Sequence, residues 1–191
     1  MEIISIITLI LCLIIYLIYR KTKNYISWKG ASIFVIFIII FLITLSSFGA
    51  TKLGIRFDNF LEAGIPTLIF TIIGVIILFT IGKHKSKTRL RLLTLYLIFG
   101  ITQQLFFQSI FHLTIFSLVN IKAVSIILTA IFVSLFHIDK NKTLFCLTLV
   151  SALVWSTIFL YYPNILILGI SHAILAYLYY TKIYKRKYPK R

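Results

Sequence analysis

The feature that most constrains this chain is a series of seven apolar runs, each long enough or nearly long enough to cross a lipid bilayer as a helix. The runs cover residues 3–19, 31–50, 66–81, 92–119, 121–138, 143–162 and 165–184. Backbone groups in hydrocarbon must pair with each other, and about 20 apolar residues in a helix cross the hydrocarbon core. The sequence therefore predicts an all-α fold, a polytopic transmembrane bundle of about seven spans, with residues 1–191 forming a single membrane domain.

Composition supports the same interpretation. Hydrophobic residues make up 60% of the chain and charged residues 13%, whereas about a quarter of the residues in a soluble domain are charged. The polar residues are too few to cover a globule in water, so lipid is the expected surrounding. Cys12 and Cys146 both lie in apolar runs, and neither belongs to a CxxC or Cys/His cluster, which argues against a disulfide or a cysteine-built zinc site.

The net charge of +16 raises the question of a nucleic-acid partner, because basic patches bind phosphates. The lysines and arginines are instead confined to short segments between the apolar runs. That distribution is typical of juxtamembrane anchors, which favour anionic lipid headgroups. We therefore expect the lipid bilayer, and no nucleic acid, as the partner of this charge.

The same cations predict the orientation of the chain. With seven spans, the side of the membrane that holds the amino terminus carries only Lys52, Arg56 and Lys122, and Asp58 and Glu62 offset the first two. Because basic loops stay in the cytoplasm, we expect the amino terminus outside and the carboxyl terminus in the cytoplasm. The cations expected on the cytoplasmic side are Arg20, Lys21, Lys23, Lys29, Lys83, Lys85, Lys87, Arg89, Arg91, Lys140, Lys142, Lys182, Lys185, Arg186, Lys187, Lys190 and Arg191.

Polar side chains inside the predicted spans are costly in lipid and need a reason. Positions 104, 108 and 112 are four residues apart, so they share one face of a helix. One interpretation is that such side chains only hold helices together through hydrogen bonds, each worth under about 1 kcal/mol on average. The other is a functional site. The residues concerned are Gln103, Gln104, Gln108 and His112 in the fourth run, His137 in the fifth and His172 in the seventh.

The order of these residues resembles the CPBP family, the CAAX proteases and bacteriocin-processing proteins also called the Abi family. That family has an EExxxR motif followed by a small residue, and residues 103–109 read QQLFFQS at that place. Its second motif, FxxxH, has residues 133–137, VSLFH, at the corresponding position. Its last, HxxxN-like motif follows a helix-turn-helix, and residues 172–176 read HAILA. The resemblance covers about residues 90–180.

The resemblance implies an intramembrane site in which glutamates and histidines bind or activate a water that attacks a peptide bond. A glutamine amide has no basic site near neutral pH, so Gln103 and Gln104 remove the base. Gln108 replaces the arginine, and Ala176 replaces the polar end of the last motif. We therefore expect a catalytically degenerate protein without a cofactor, in a bacterial plasma membrane. It would act by binding a membrane-protein or peptide partner, in bacteriocin self-immunity or as a membrane scaffold.

Two alternatives remain open from the sequence. An active CAAX-type intramembrane metallopeptidase would use His112, His137 and His172 around zinc, since catalytic zinc typically has three protein ligands. A small transporter or channel would need charges within its spans or broken helices in paired halves. The predicted spans hold Asp, Glu, Lys and Arg only near their ends, which disfavours the transporter.

Overall fold

A computed structural model describes residues 2–21, 28–82, 90–138 and 142–183 of the chain. In these ranges the chain is helical and contains no strand, which confirms the all-α prediction. A π-helical segment, Leu105–His112, joins α4 to α5. The α-helices are α1 (Glu2–Lys21), α2 (Trp28–Lys52), α3 (Phe60–Ile81), α4 (Leu90–Gln104), α5 (Leu113–Val119), α6 (Lys122–Leu135), α7 (Lys142–Tyr161) and α8 (Ile165–Lys182).

Six helical stretches in the described ranges are long and apolar enough to cross a membrane, and α4 through α5 counts as one of them. The fifth predicted span is the exception, because α6 has 14 residues and is only about 21 Å long. It ends where the amides of Phe136 and His137 bond to carbonyls three residues earlier, at 3.3 and 2.9 Å. The third span also differs from the prediction, because α3 begins at Phe60 and includes Pro66.

The orientation of the termini stays a prediction. Most of the cations on which it depends, in segments 22–27, 83–89, 139–141 and 184–191, lie outside the described residues. What the structure does give is the lipid-facing surface, on which large apolar side chains of α2 and α3 such as Leu42, Leu68 and Ile76 are more than half exposed. Exposure of these apolar side chains to water would be costly, whereas in a bilayer they are solvated by lipid chains.

The π-helical segment lies at the centre of the bundle. Residues 106–112 are buried on every side of the helix, and the segment contacts α1, α2, α6, α7 and α8. On one side an aromatic cluster packs against it, in which Phe111 stacks on Phe132 with ring centroids 3.8 Å apart. On the other side a second apolar cluster, including Trp155 and Phe159, fills the space between α3, α7 and α8. The central position of this segment determines where the polar side chains lie.

Two small residues let α4 and α8 approach closely. A Cβ placed on Gly100 would lie 2.6 Å from the carbonyl oxygen of Gly169 and 3.0 Å from the amide nitrogen of Ala173. Both are backbone atoms, so they can move only if the helices move. Small residues commonly permit such backbone contact in membranes. The crossing brings the end of α4 against the middle of α8, where the last predicted motif lies.

The connection between α2 and α3 packs on the turn between α7 and α8. Gly54, with φ of 77°, accepts a hydrogen bond from the amide of Ile165 at 3.0 Å. Asn164 caps α8 by accepting from the Ile167 amide at 3.1 Å. Its side-chain nitrogen donates to the Arg56 carbonyl at 3.2 Å and to the Asn59 side chain at 3.1 Å. These bonds fix the start of α8 and therefore the depth of His172.

Candidate functional site

The polar residues predicted in the fourth span lie on the central π-helical segment and at its start. Gln104 ends α4, Gln108 lies within the segment, and His112 ends it. Their exposed fractions are 1%, 1% and 0%. Gln103 is half-buried. π-helical turns are rare and are frequent at functional sites, because the wider turn displaces side chains from their α-helical positions.

Gln104 and His172 form the centre of the site. The side-chain nitrogen Nε2 of Gln104 lies 2.9 Å from Nδ1 of His172, and both residues are buried. Because an amide nitrogen can only donate, Nδ1 accepts this bond and the ring proton of neutral His172 is on Nε2. The first and last motifs of the sequence are therefore in direct contact. The Gly100–Gly169 crossing, one helical turn away on each helix, permits this contact.

The other side of His172 is held by an aromatic ring. The indole of Trp155 stacks on the imidazole with ring centroids 4.8 Å apart and an interplanar angle of 9°. The indole nitrogen of Trp155 donates to Ser171 Oγ at 3.2 Å, and the same oxygen lies at hydrogen-bonding distance, 2.7 Å, from Thr71 Oγ1. These bonds link α3, α7 and α8 beside the site, so the position of the imidazole ring is defined from two directions.

His112 lies elsewhere on the segment and has different partners. Its Nε2 lies 3.2 Å from Ser125 Oγ on α6, and that hydroxyl donates to the Lys122 carbonyl at 2.9 Å. Since the serine proton is used in the second bond, Nε2 of His112 is the donor in the first. The ring also lies near Phe159, with centroids 6.2 Å apart. His112 therefore holds α6 against the π-helical segment.

His137 is half-buried in the turn that ends α6. The preceding Phe136 packs on Phe106 and Phe107 with centroids 6.4 and 5.1 Å apart, so His137 lies at the level where the π-helical segment begins. Across the described residues, no three His, Cys, Asp or Glu side chains form a group that could hold a metal ion. The structure thus pairs Gln104 with His172, and it does not gather His112, His137 and His172 into one such group.

The charge of the site follows from where the carboxylates are. Of the four acidic residues in the chain, the structure describes Glu2, Asp58 and Glu62, and all three are exposed. Asp58 pairs with Arg56, whose guanidinium holds the pKa of that carboxyl below its usual value through a direct hydrogen bond. Asp139 lies outside the described residues. The described part of the site therefore contains amides, hydroxyls, imidazoles and an indole, and no carboxylate.

Sequence reasoning did not single out the residues that surround the two histidines. Trp155, Ser171 and Ser125 each bond to or stack on a member of the site or its neighbour. The position of Ser171 next to His172 and the need of a buried indole N–H for an acceptor were the available signals. Neither signal identifies a partner across helices without the three-dimensional packing.

Taken together, the fold and the site define a polytopic membrane protein with a buried glutamine–histidine pair at the centre of its helical bundle. Residues 85–178 match the family model of the Type II CAAX prenyl endopeptidase Rce1-like proteins, which covers just under half of the chain. Residues 85–178 are thus similar to the Rce1-like family, within the CPBP group that the motifs of the chain resemble. No curated protein and no solved structure matches it.

Proposed function

We propose that this chain is a non-cleaving member of its family that binds a membrane-embedded partner through the same domain. The observation that carries the proposal is the hydrogen bond between Gln104 and His172. The Nδ1 lone pair of His172 accepts an amide hydrogen, and Nε2 carries the ring proton. Neutral His172 then has no free lone pair with which to take a proton from water or to bind a metal ion.

The residues around this pair support the proposal. A general base must accept a proton at the operating pH, and neither Gln103 nor Gln104 has a basic site. The loss of charge extends to Gln108 and Ala176, which stand where the family has arginine and a polar residue. Neutral side chains are cheaper than charges in lipid, so a site without catalytic selection would be expected to lose its charges together.

The partner follows from the family and from the setting of the site. Type II CAAX prenyl endopeptidases act on peptides that carry a lipid, and a domain of this type buried among membrane helices suits a hydrophobic peptide or a membrane protein. We propose a bacterial plasma membrane as the location. Bacteriocin self-immunity and scaffolding of a membrane complex are the two roles that such binding would serve.

The test uses the full chain in lipid nanodiscs with a fluorescent prenylated CAAX peptide. We expect binding by fluorescence anisotropy, no cleavage by mass spectrometry, and less than one zinc ion per chain by elemental analysis. The matched comparison is the Gln103→Glu/Gln104→Glu variant, which restores the two carboxylates of the family motif. Asp139→Asn serves as a second comparison, because Asp139 is the one acidic residue outside the described ranges.

Cleavage by the unmodified chain would refute the proposal if His137→Ala or His172→Ala abolished it. In that case the histidines act without the glutamates, and the metallopeptidase alternative is correct. A zinc content near one per chain that falls in the same two variants would lead to the same conclusion. Absence of binding would instead contradict the choice of a prenylated peptide as the partner.

A further inference from the structure

A second polar cluster lies between the π-helical segment, α6 and α7, separate from the Gln104–His172 pair. Two of its members are Thr129 on α6 and Ser156 on α7, both with 0% exposure. Among the described residues, neither hydroxyl has a hydrogen-bond partner. This is unusual for the chain, in which helical hydroxyls regularly donate to the carbonyl four residues earlier. Those that do so are Thr44, Ser47, Thr67, Thr71, Thr80, Thr102, Ser134, Thr148, Thr157 and Thr181.

Helical spacing, counted from the contacts of His112, predicts that the members of this cluster lie at one level. His112 is bonded to Ser125 of α6 and lies against Phe159 of α7. Gln108 is four residues before His112, and Thr129 is four residues after Ser125 in an antiparallel helix. Each is therefore one turn from its contact residue, on the same side of its helix and in the same direction along the bundle.

The third helix follows the same geometry. Ser156 is three residues before Phe159, so it too lies one turn from the His112 level, on the same side of α7. Because α6, α7 and the π-helical segment contact one another, this spacing places Gln108, Thr129 and Ser156 at a similar depth, where the three elements meet.

The atoms offered at this level are mainly acceptors. Gln108 Oε1 and His112 Nδ1 are buried, and neither has a hydrogen-bond donor within the described part of the chain. The ring proton of His112 is already on Nε2, so Nδ1 presents a lone pair. The hydroxyl oxygens of Thr129 and Ser156 can both donate and accept. Buried groups of this kind cost about 1–3 kcal/mol each when unpaired, so an occupant that donates hydrogen bonds is favoured.

The occupant must also be electrically neutral. A cation would place an uncompensated charge within the bundle, where no described carboxylate is buried. Water is neutral, donates two hydrogen bonds and accepts others, and buried waters typically make about three such bonds. We propose that Gln108, His112, Thr129 and Ser156 form a buried hydration site that holds at least one ordered water. This inference does not depend on the proposed function.

Equilibrium unfolding in mixed detergent micelles tests the site through Thr129→Val and Ser156→Ala, singly and together. A bound water would lose a partner in each variant, so we expect the unfolding constant to rise about 5-fold or more. In the double variant the unfolding constant should rise by less than the product of the two single effects, because both hydroxyls bond to the same water. Thr44→Val is the matched control, since the buried Thr44 hydroxyl bonds to its own helix at 2.6 Å. We expect it to change the constant less than about 2-fold, because a hydroxyl bonded to the carbonyl four residues earlier adds little to the stability of its helix.

The opposite result would overturn the proposal. Removing a buried hydroxyl that truly has no partner leaves stability unchanged or raises it. If Thr129→Val and Ser156→Ala are neutral or stabilising and their effects multiply, no water is shared between them. Replacing sodium and potassium by choline separates water from a cation. A loss of stability on replacement that is absent from the double variant would identify a cation and refute a hydration site.

Radiolytic footprinting with mass spectrometry gives a second, direct measurement on the unmodified chain. A water bound at this level produces hydroxyl radicals beside His112 and Phe159, so both residues should be oxidised despite their burial. After rapid mixing with ¹⁸O water, their label should appear later than that of exposed residues. Thr129→Val/Ser156→Ala should reduce the oxidation at least several-fold. Oxidation of both residues no faster than that of the buried Leu168 region would overturn the proposal.

Discussion

Replacing Gly100 with alanine tests whether the close crossing of α4 and α8 holds the glutamine–histidine pair together. The new Cβ would lie 2.6 Å from the Gly169 carbonyl oxygen, whereas ordinary contacts begin at 3.4 Å. The two backbones must therefore separate by about 0.8 Å, an overpacking that typically costs about 1–3 kcal/mol. Transmitted one turn along the helix, the same shift would lengthen the 2.9 Å Gln104–His172 bond beyond hydrogen-bonding range.

Two opposing contributions determine the net effect. Alanine in a helix is favoured over glycine by about 0.5–1 kcal/mol, so we expect Gly100→Ala to lose about 1–2 kcal/mol overall. Gly64→Ala is the matched control, because its Cβ would meet only a side-chain carbon of Ile167 at 3.6 Å. That variant should be neutral or stabilised. Unfolding of both variants in mixed micelles, followed by circular dichroism, measures the difference. The reasoning fails if Gly100→Ala is as stable as Gly64→Ala.

Three further changes test other parts of the structure. Gln104→Leu should cost about 1–3 kcal/mol in the same unfolding assay, because it leaves Nδ1 of His172 buried without its donor; no loss would mean that the pair does not form. Asn164→Ala should cost at least about 1–2 kcal/mol through loss of the α8 cap, and Asn164→Asp should also be destabilised, because it keeps the cap acceptor but loses both donated bonds. Arg56→Gln should raise the pKa of Asp58, which carboxyl ¹³C NMR measures as a function of pH. Because that pKa is lowered in the folded chain, the ion pair contributes to stability at pH values above the pKa of Asp58 in the unfolded chain. This contribution is lost as the pH falls through the pKa of Asp58 in the folded chain. An unchanged pKa in Arg56→Gln would contradict the pairing.

The helical architecture could be predicted from the sequence because lipid leaves the backbone few choices. Runs of apolar residues must be helices in a bilayer, and the described helices follow them closely. The details depend on packing. Sequence pattern did not predict that residues 105–112 form a π-helical segment, and it gave the fifth span four residues more than α6 has. The end of α6 is set by the aromatic contacts of Phe136, which lie on other helices.

The candidate site was predictable in part for the same reason. The cost of placing polar side chains in lipid identified Gln104 and His172 individually, and the family resemblance placed them in two motifs of one site. Their direct pairing depends on the small residues at the α4–α8 crossing, which the sequence indicated only as helix-packing glycines. The cluster of Gln108, Thr129 and Ser156 was not recognisable, because single hydroxyls in a helix usually bond to their own backbone.

The Gln104–His172 bond also links stability to the proposed loss of catalysis. At neutral pH a glutamate side chain has no hydrogen to donate, so Gln104→Glu would leave Nδ1 of His172 facing a carboxylate without a donor between them. His172 would then gain a proton or change its tautomer, and a charge would enter a site that is neutral in the described chain. Buried charges of this kind are costly in a membrane unless they are paired. Restoring the carboxylate alone should therefore destabilise the bundle, and any recovered peptidase activity should appear together with a lower resistance to unfolding.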